Sequence, residues 1–209
     1  MIHIITAENR HLYRHALMEM HIQRKQVFID DLGWPLNADS GIEIDAYDSE
    51  DAVYLIEADA PRAPVTASAR LLRTDRPHLL GERFAHLCDG APPSGPDVWE
   101  ATRFCPAPGT PRGAARRSML ARMIAGIMET ALIFGIQRVT FVANAALEPL
   151  ALKVGWSAST LGPAHRAGRE RVRAMAAEID ADGLRRVRVQ NAILGPLTRF
   201  TPGDLVHAA

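Results

Sequence analysis

Stretches of helical and strand-like apolar spacing alternate along the chain. Residues 2–6 read as a short strand, and residues 8–30 as helical, with Leu12, Ala16, Met20, Val27 and Phe28 marking a patchy apolar face. AVYLIEA (52–58), PVTASARLL (64–72) and VWEATRFCP (98–106) predict strands, the first two separated by Asp59, Pro61 and Pro64 as a hairpin-like break. An antiparallel sheet is the expected product. Met119, Leu120, Met123, Ile124, Ile127, Met128, Ala131 and Leu132 then recur at helical spacing until Gly135 supplies a stop. RVTFVA (138–143) predicts a strand, Leu147–Val154 a short helix, and Gly155-Trp156 the turn into another strand or extended segment; strand, helix, strand is a crossover that makes neighbouring strands parallel. Weak alternation around Glu170–Ile179, a polar helix candidate and a Gly195-Pro196 tail complete the pattern.

Two stretches break these rhythms. Residues 73–97 are rich in proline and glycine and leave room for one short helix near Leu80–Leu87. Residues 33–49 have a loop composition yet carry Trp34 and the acids Asp39, Glu43, Asp45 and Asp48, and a long loop loaded with such side chains is a place for function. No internal repeat or linker is visible, so the expectation is one domain over residues 1–209, an α/β fold with a mixed sheet and helices on both faces.

Composition narrows the function classes. The 209 residues hold 24 Lys plus Arg against 24 Asp plus Glu, which gives no basic excess to attract nucleic acid. Cys88 and Cys105 have no CxxC or Cys/His spacing, and the eight histidines show no ligand motif, so no metal site is expected. The opening MIHIITAENR has neither the basic nor the apolar region of a secretion signal, and the apolar stretch Met119–Ile136 is interrupted by Arg122, Gly126 and Glu129. A soluble, cytoplasmic protein with no membrane association is expected.

The candidate chemistry lies in misplaced charges. Arg24 sits in the first helical segment, Asp45 and Asp48 in the following loop, Arg70 inside an apolar strand, and Glu100 and Arg103 inside another. A charge in a half-buried strand costs several kcal/mol unless paired, so opposite charges should gather in one cluster. The plain alternative is a set of ion pairs that brace the fold. Three arginines and three acids favour an active site, because such sites gather ionisable groups. Strict alternation would send Glu100 and Arg103 to opposite faces, so a shared site requires a bulge or sheet opening near Ala101–Phe104.

Arg24-x3-Phe28-x5-Trp34, then Glu43-x-Asp45-x2-Asp48, then Arg70-Leu71-Leu72-x-Thr74, Phe84 and Glu100-x2-Arg103-Phe104 together resemble the signature of the acyl-homoserine-lactone synthases. The later half resembles the family more loosely. The resemblance implies a GNAT-like αβα sandwich with a V-shaped central sheet, although the short glycine-rich pyrophosphate loop of ordinary GNAT enzymes is not evident between Pro106 and Ser118. It also implies an acyltransferase that N-acylates S-adenosylmethionine, a substrate and not a resident cofactor, and closes a lactone as a quorum-sensing signal. Glu100 would be the base for the amine; Arg24, Arg70, Asp45 and Asp48 would fix the cluster and the substrate's polar groups; Arg103 would orient a carboxylate or thioester.

Phe28 and Trp34 suit a sulfonium or an adenine ring, although Phe28 also fits simple core packing. Met123, Ile124 and Phe141 are candidates for an acyl pocket, with plain core packing the alternative. Arg112, Arg116, Arg117 and Lys153 form a candidate dock for the acyl donor, with acyl carrier protein favoured over acyl-coenzyme A. Two other functions stay open: a GNAT-like transferase acting on another amine, and a non-catalytic sensor of acyl thioester or S-adenosylmethionine.

Overall fold

Every residue of the segments Ile2–Ile5 and Val53–Glu57 is buried, which explains why both are written almost wholly in Ile, Val, Leu and Tyr. In the computed structural model, which describes residues 1–38, 40–168 and 170–203, they are the first two strands; Asp39 lies outside the described residues. The strands are β1 (Ile2–Ile5), β2 (Val53–Glu57), β3 (Ala67–Arg73), β4 (Val98–Pro106), β5 (Arg138–Asn144), β6 (Ser157–Thr160), β7 (His165–Ala167), β8 (Glu170–Glu178) and β9 (Thr198–Phe200). The helices are α1 (Arg14–Arg24), α2 (Leu79–Arg83), α3 (Ala114–Ile133), α4 (Glu148–Lys153) and α5 (Ala181–Gln190). The chain forms two compact units. One contains Met1–Arg70, Arg103–Gly126 and the residues from Leu197 on, and the other Leu71–Thr102 and Ile127–Pro196.

In the first unit β1 lies antiparallel to β2 and parallel to β9. The predicted helix over residues 8–30 is three pieces: a 3-10 turn (Arg10–Tyr13), α1, and a π-helical segment (Lys25–Asp31). Ala16, Met20, Gln23 and Arg24 are the buried residues of α1, a helical face that carries Arg24 inward with the apolar side chains. The wider π winding begins at Lys25 and buries Phe28, and such segments occur frequently at functional sites. Helix α3 starts at Ala114, five residues before the apolar periodicity, and at Gly126 it comes against Ile2 so closely that a β-carbon would collide.

In the second unit β4 and β5 are parallel neighbours, from Val98↔Arg138 to Ala101↔Phe141. The crossover prediction needs correction here. β5 and β6 are not neighbours: β8 lies between them, antiparallel to both. β8 also pairs with β7, and Ala174–Ala177 is buried without alternation, as in a strand covered on both faces, which is why β8 is weak in the sequence pattern. Asp180 caps α5 by accepting from the Gly183 N–H at 2.6 Å.

Candidate functional site

Three arginines and three carboxylates of the first unit alternate in a closed ring. Arg24, at the buried end of α1, donates through Nε to Glu43 Oε2 at 2.5 Å and through its two terminal nitrogens to both oxygens of Asp48 at 2.8 Å. Arg70 of β3 lies 2.8 Å from Asp48 and forks onto Asp45 at 2.6 and 3.0 Å. Arg103 of β4 closes the circuit, with its Nη2 at 2.8 Å from Asp45 and 3.0 Å from Glu43. Each guanidinium thus touches two carboxylates and each carboxylate two guanidiniums, so the buried charges cancel. Side-chain exposure is 0% for Arg24 and Arg70, 1% for Glu43, 2% for Asp48 and 6% for Arg103, but 19% for Asp45. Asp45 is therefore the member that solvent, or a bound molecule, can reach.

Hydrogen bonds and rings brace this circuit. The Tyr54 hydroxyl and the Asp45 N–H donate to Asp48 at 2.8 and 2.9 Å, and the Tyr47 N–H donates to Asp45 at 2.8 Å. The Tyr47 ring faces the Arg70 guanidinium and the Phe28 ring faces that of Arg103, each at 5.8 Å. Phe28 and Trp34 stack on each other, 4.9 Å between centroids and 15° from parallel. Arg103 has φ +51°, a left-handed conformation inside a strand. This left-handed residue interrupts the extended backbone locally, and such strain collects at functional sites.

The sequence model of the family described as autoinducer synthase matches residues 8–189. The chain belongs to that family. An acyl-homoserine-lactone synthase of Ralstonia nicotianae is 36% identical over 83% of this chain and 87% of its own length. A solved CoA-dependent acyl-homoserine lactone synthase, BjaI, with SAM and isopentyl-CoA, is 27% identical at a TM-score of 0.87, over 98% of this chain and 95% of that one. The mixed α/β fold is shared more widely: a Lactobacillus plantarum protein described as an N-acetyltransferase matches 86% of the chain at 14% identity and a TM-score of 0.56.

Five of the six charges singled out in the sequence of this family member meet in the ring, and Glu43 takes the sixth place. Glu43 stands in the acidic string of the loop, but nothing in that string says that its carboxylate, 1% exposed, joins two arginines. Tyr54 carries no sequence signal at all, since it reads as one apolar residue of a buried strand. Glu100 belongs to the second unit, where it is fully buried and both its oxygens accept from the Leu80 N–H, at 3.0 and 3.1 Å. Met123 and Ile124 are buried in α3 in the first unit, and Phe141 is buried in the second, stacked on Trp156 at 5.4 Å. Arg112, Arg116 and Arg117 are exposed at and before the start of α3, and Lys153 is exposed at the end of α4. The Cys105 thiol is pushed up to about 12 by burial, which leaves it inert as a nucleophile. No described helix is long and apolar enough to cross a membrane.

The ring makes stability depend on acid. Burial pushes the Asp48 carboxyl upward, but the hydrogen bonds and charge of Arg24 and the charge of Arg70 outweigh it and hold the carboxyl far below the usual range. The unfolded chain binds this proton near pH 4 and the folded chain does not, so the stabilisation is complete above about pH 5 and is lost as pH falls below about 4. Urea unfolding between about pH 5 and 2 should show a shallower loss of stability with falling pH in Asp48→Asn than in the native chain. Equal slopes would mean that Asp48 keeps an ordinary proton affinity.

Proposed function

We propose that this chain transfers an acyl group from a thioester to the α-amine of S-adenosylmethionine and closes the product to an N-acyl-L-homoserine lactone, releasing 5'-methylthioadenosine. The observation that carries the reading is the charge ring with Asp45 as its accessible member. A zwitterionic amino acid needs a carboxylate for its ammonium and a guanidinium fork for its carboxylate, and Asp45 and Arg103 stand side by side at 2.8 Å. Phe28 and Trp34 supply aromatic surface next to Arg103, suited to the sulfonium or the adenine.

In the first step the amine nitrogen attacks the thioester carbonyl; the N–C bond forms, the C–S bond breaks, and the sulfur leaves as a thiol after taking up a proton. By family likeness Glu100 accepts the proton that the amine gives up. In the second step the methionine carboxylate attacks its own γ-carbon, and the sulfonium leaves with the bonding electrons as neutral methylthioadenosine. The leaving group is already activated, so the main demand on the protein is to hold the carboxylate in line with the γ-carbon. Glu100→Gln keeps an acceptor for the Leu80 N–H and removes the base, and it should lower kcat by about 10²–10⁴ at pH 7.5 with an unchanged melting temperature.

For the donor, the sequence by itself favours acyl carrier protein, whereas the likeness to a CoA-dependent synthase over 98% of the chain supports acyl-coenzyme A. Arg112, Arg116 and Arg117 are exposed and suit its phosphates. Incubation with S-adenosylmethionine and a panel of acyl-CoA and acyl-carrier-protein donors tests both points. Methylthioadenosine should appear only when S-adenosylmethionine and an acyl thioester are both present, and faster from acyl-CoA. Acyl transfer without methylthioadenosine would indicate a transferase for another amine; binding without turnover would indicate a sensor.

A further inference from the structure

His21, one turn before the end of α1, holds Glu43 by its backbone from two sides. Its carbonyl accepts from the Glu43 N–H at 3.1 Å, and its Nδ1 lies 2.9 Å from the Glu43 carbonyl oxygen. A carbonyl can only accept, so the contact assigns the proton to Nδ1. The same His21 carbonyl also accepts from the Lys25 N–H, where the helix begins its wider winding, so the clamp sits on the turn that presents Arg24 and Phe28. The imidazole packs edge-on to Tyr54 at 6.3 Å between centroids, and Tyr54 in turn donates to Asp48.

This clamp places the Glu43 carboxylate between two arginines with different second partners. Arg24 is fully buried and held by Asp48 as well, whereas Arg103 depends on Glu43 and Asp45 to aim its fork. Resting on the proposed synthase reading, we infer that His21 is a positioning residue for S-adenosylmethionine: its Nδ1–H fixes Glu43, and Glu43 fixes the Arg103 guanidinium that receives the substrate carboxylate. It touches neither substrate nor reacting atoms. Burial, followed by the nearby Arg24 charge, lowers its proton affinity and keeps the ring neutral.

Three variants separate this role from volume filling. Asparagine offers an amide N–H close to the Nδ1 position, glutamine places its amide one carbon farther out, and phenylalanine keeps the ring without a donor. His21→Phe and His21→Gln should raise KM for S-adenosylmethionine about tenfold, the worth of one lost hydrogen bond, with kcat changed less than about threefold. His21→Asn should restore KM to within about threefold of the native value. A volume role predicts the reverse order, with phenylalanine native-like and asparagine impaired, and that order overturns the inference. So does a native-like KM in all three. If His21→Phe does not fold, the contrast between asparagine and glutamine decides alone. The native enzyme is assayed for methylthioadenosine in parallel: absence of release from it would sink the synthase reading and this role with it, whereas release with no effect of the variants would sink only the role of His21.

Discussion

Arg24→Met should cost the fold about 3–5 kcal/mol, because it leaves Glu43 and Asp48 buried with half of their countercharge removed. Methionine follows the path of the arginine stem, so packing changes little and the loss reports the missing charge. For a chain of this size the melting temperature should fall by on the order of 10 °C. A second variant isolates the cause. Adding Asp48→Asn to Arg24→Met leaves two arginines facing two carboxylates, so the buried charges balance again, and it should regain part of the lost stability although two ring members are gone. Urea unfolding of the two variants and the native chain gives the comparison. A loss below about 1 kcal/mol for Arg24→Met would mean that the ring behaves as a solvated surface network, contrary to its exposure of 0–2% at Arg24, Glu43 and Asp48.

Arg103→Lys should leave the fold largely intact and lower kcat/KM for S-adenosylmethionine by about 10²–10³. Lysine retains the charge and can reach one of the two carboxylates, but it cannot fork between Glu43, Asp45 and a bound carboxylate at once. Losing two charge-assisted hydrogen bonds in a site largely shut off from water costs about 3–4 kcal/mol, which converts to that factor. Both residues bear the same penalty at φ +51°, so the comparison isolates the side chain from the backbone strain. Steady-state kinetics with S-adenosylmethionine varied, together with a thermal melt, provide the measurement. A kcat/KM within tenfold of the native value would remove Arg103 from the role of carboxylate anchor.

The ring also shows how far charge spacing can be read as geometry. Arg24 falls on the same helical face as Ala16 and Met20, so its burial is written in the spacing, and the requirement for a partner follows from the cost of burying it. Arg70 and Arg103 stand in strands whose neighbours are apolar, and the same argument applies. Glu43 and Glu100 were not separable on those grounds. Both are acids close to other charges in sequence, yet one completes the ring and the other accepts from a backbone N–H in a different unit.

By itself, then, the order of residues determined the elements with strong periodicity, the α/β class and the list of charges that must be paired, because burial cost and local backbone preference act along the chain. Which carboxylate meets which guanidinium, the clamp of His21 on Glu43, the stack of Phe28 on Trp34 and the insertion of β8 between β5 and β6 were decided only in three dimensions. Those contacts join residues that are distant in sequence or lie in loops without a repeat, and electrostatic attraction has no period from which a partner could be inferred.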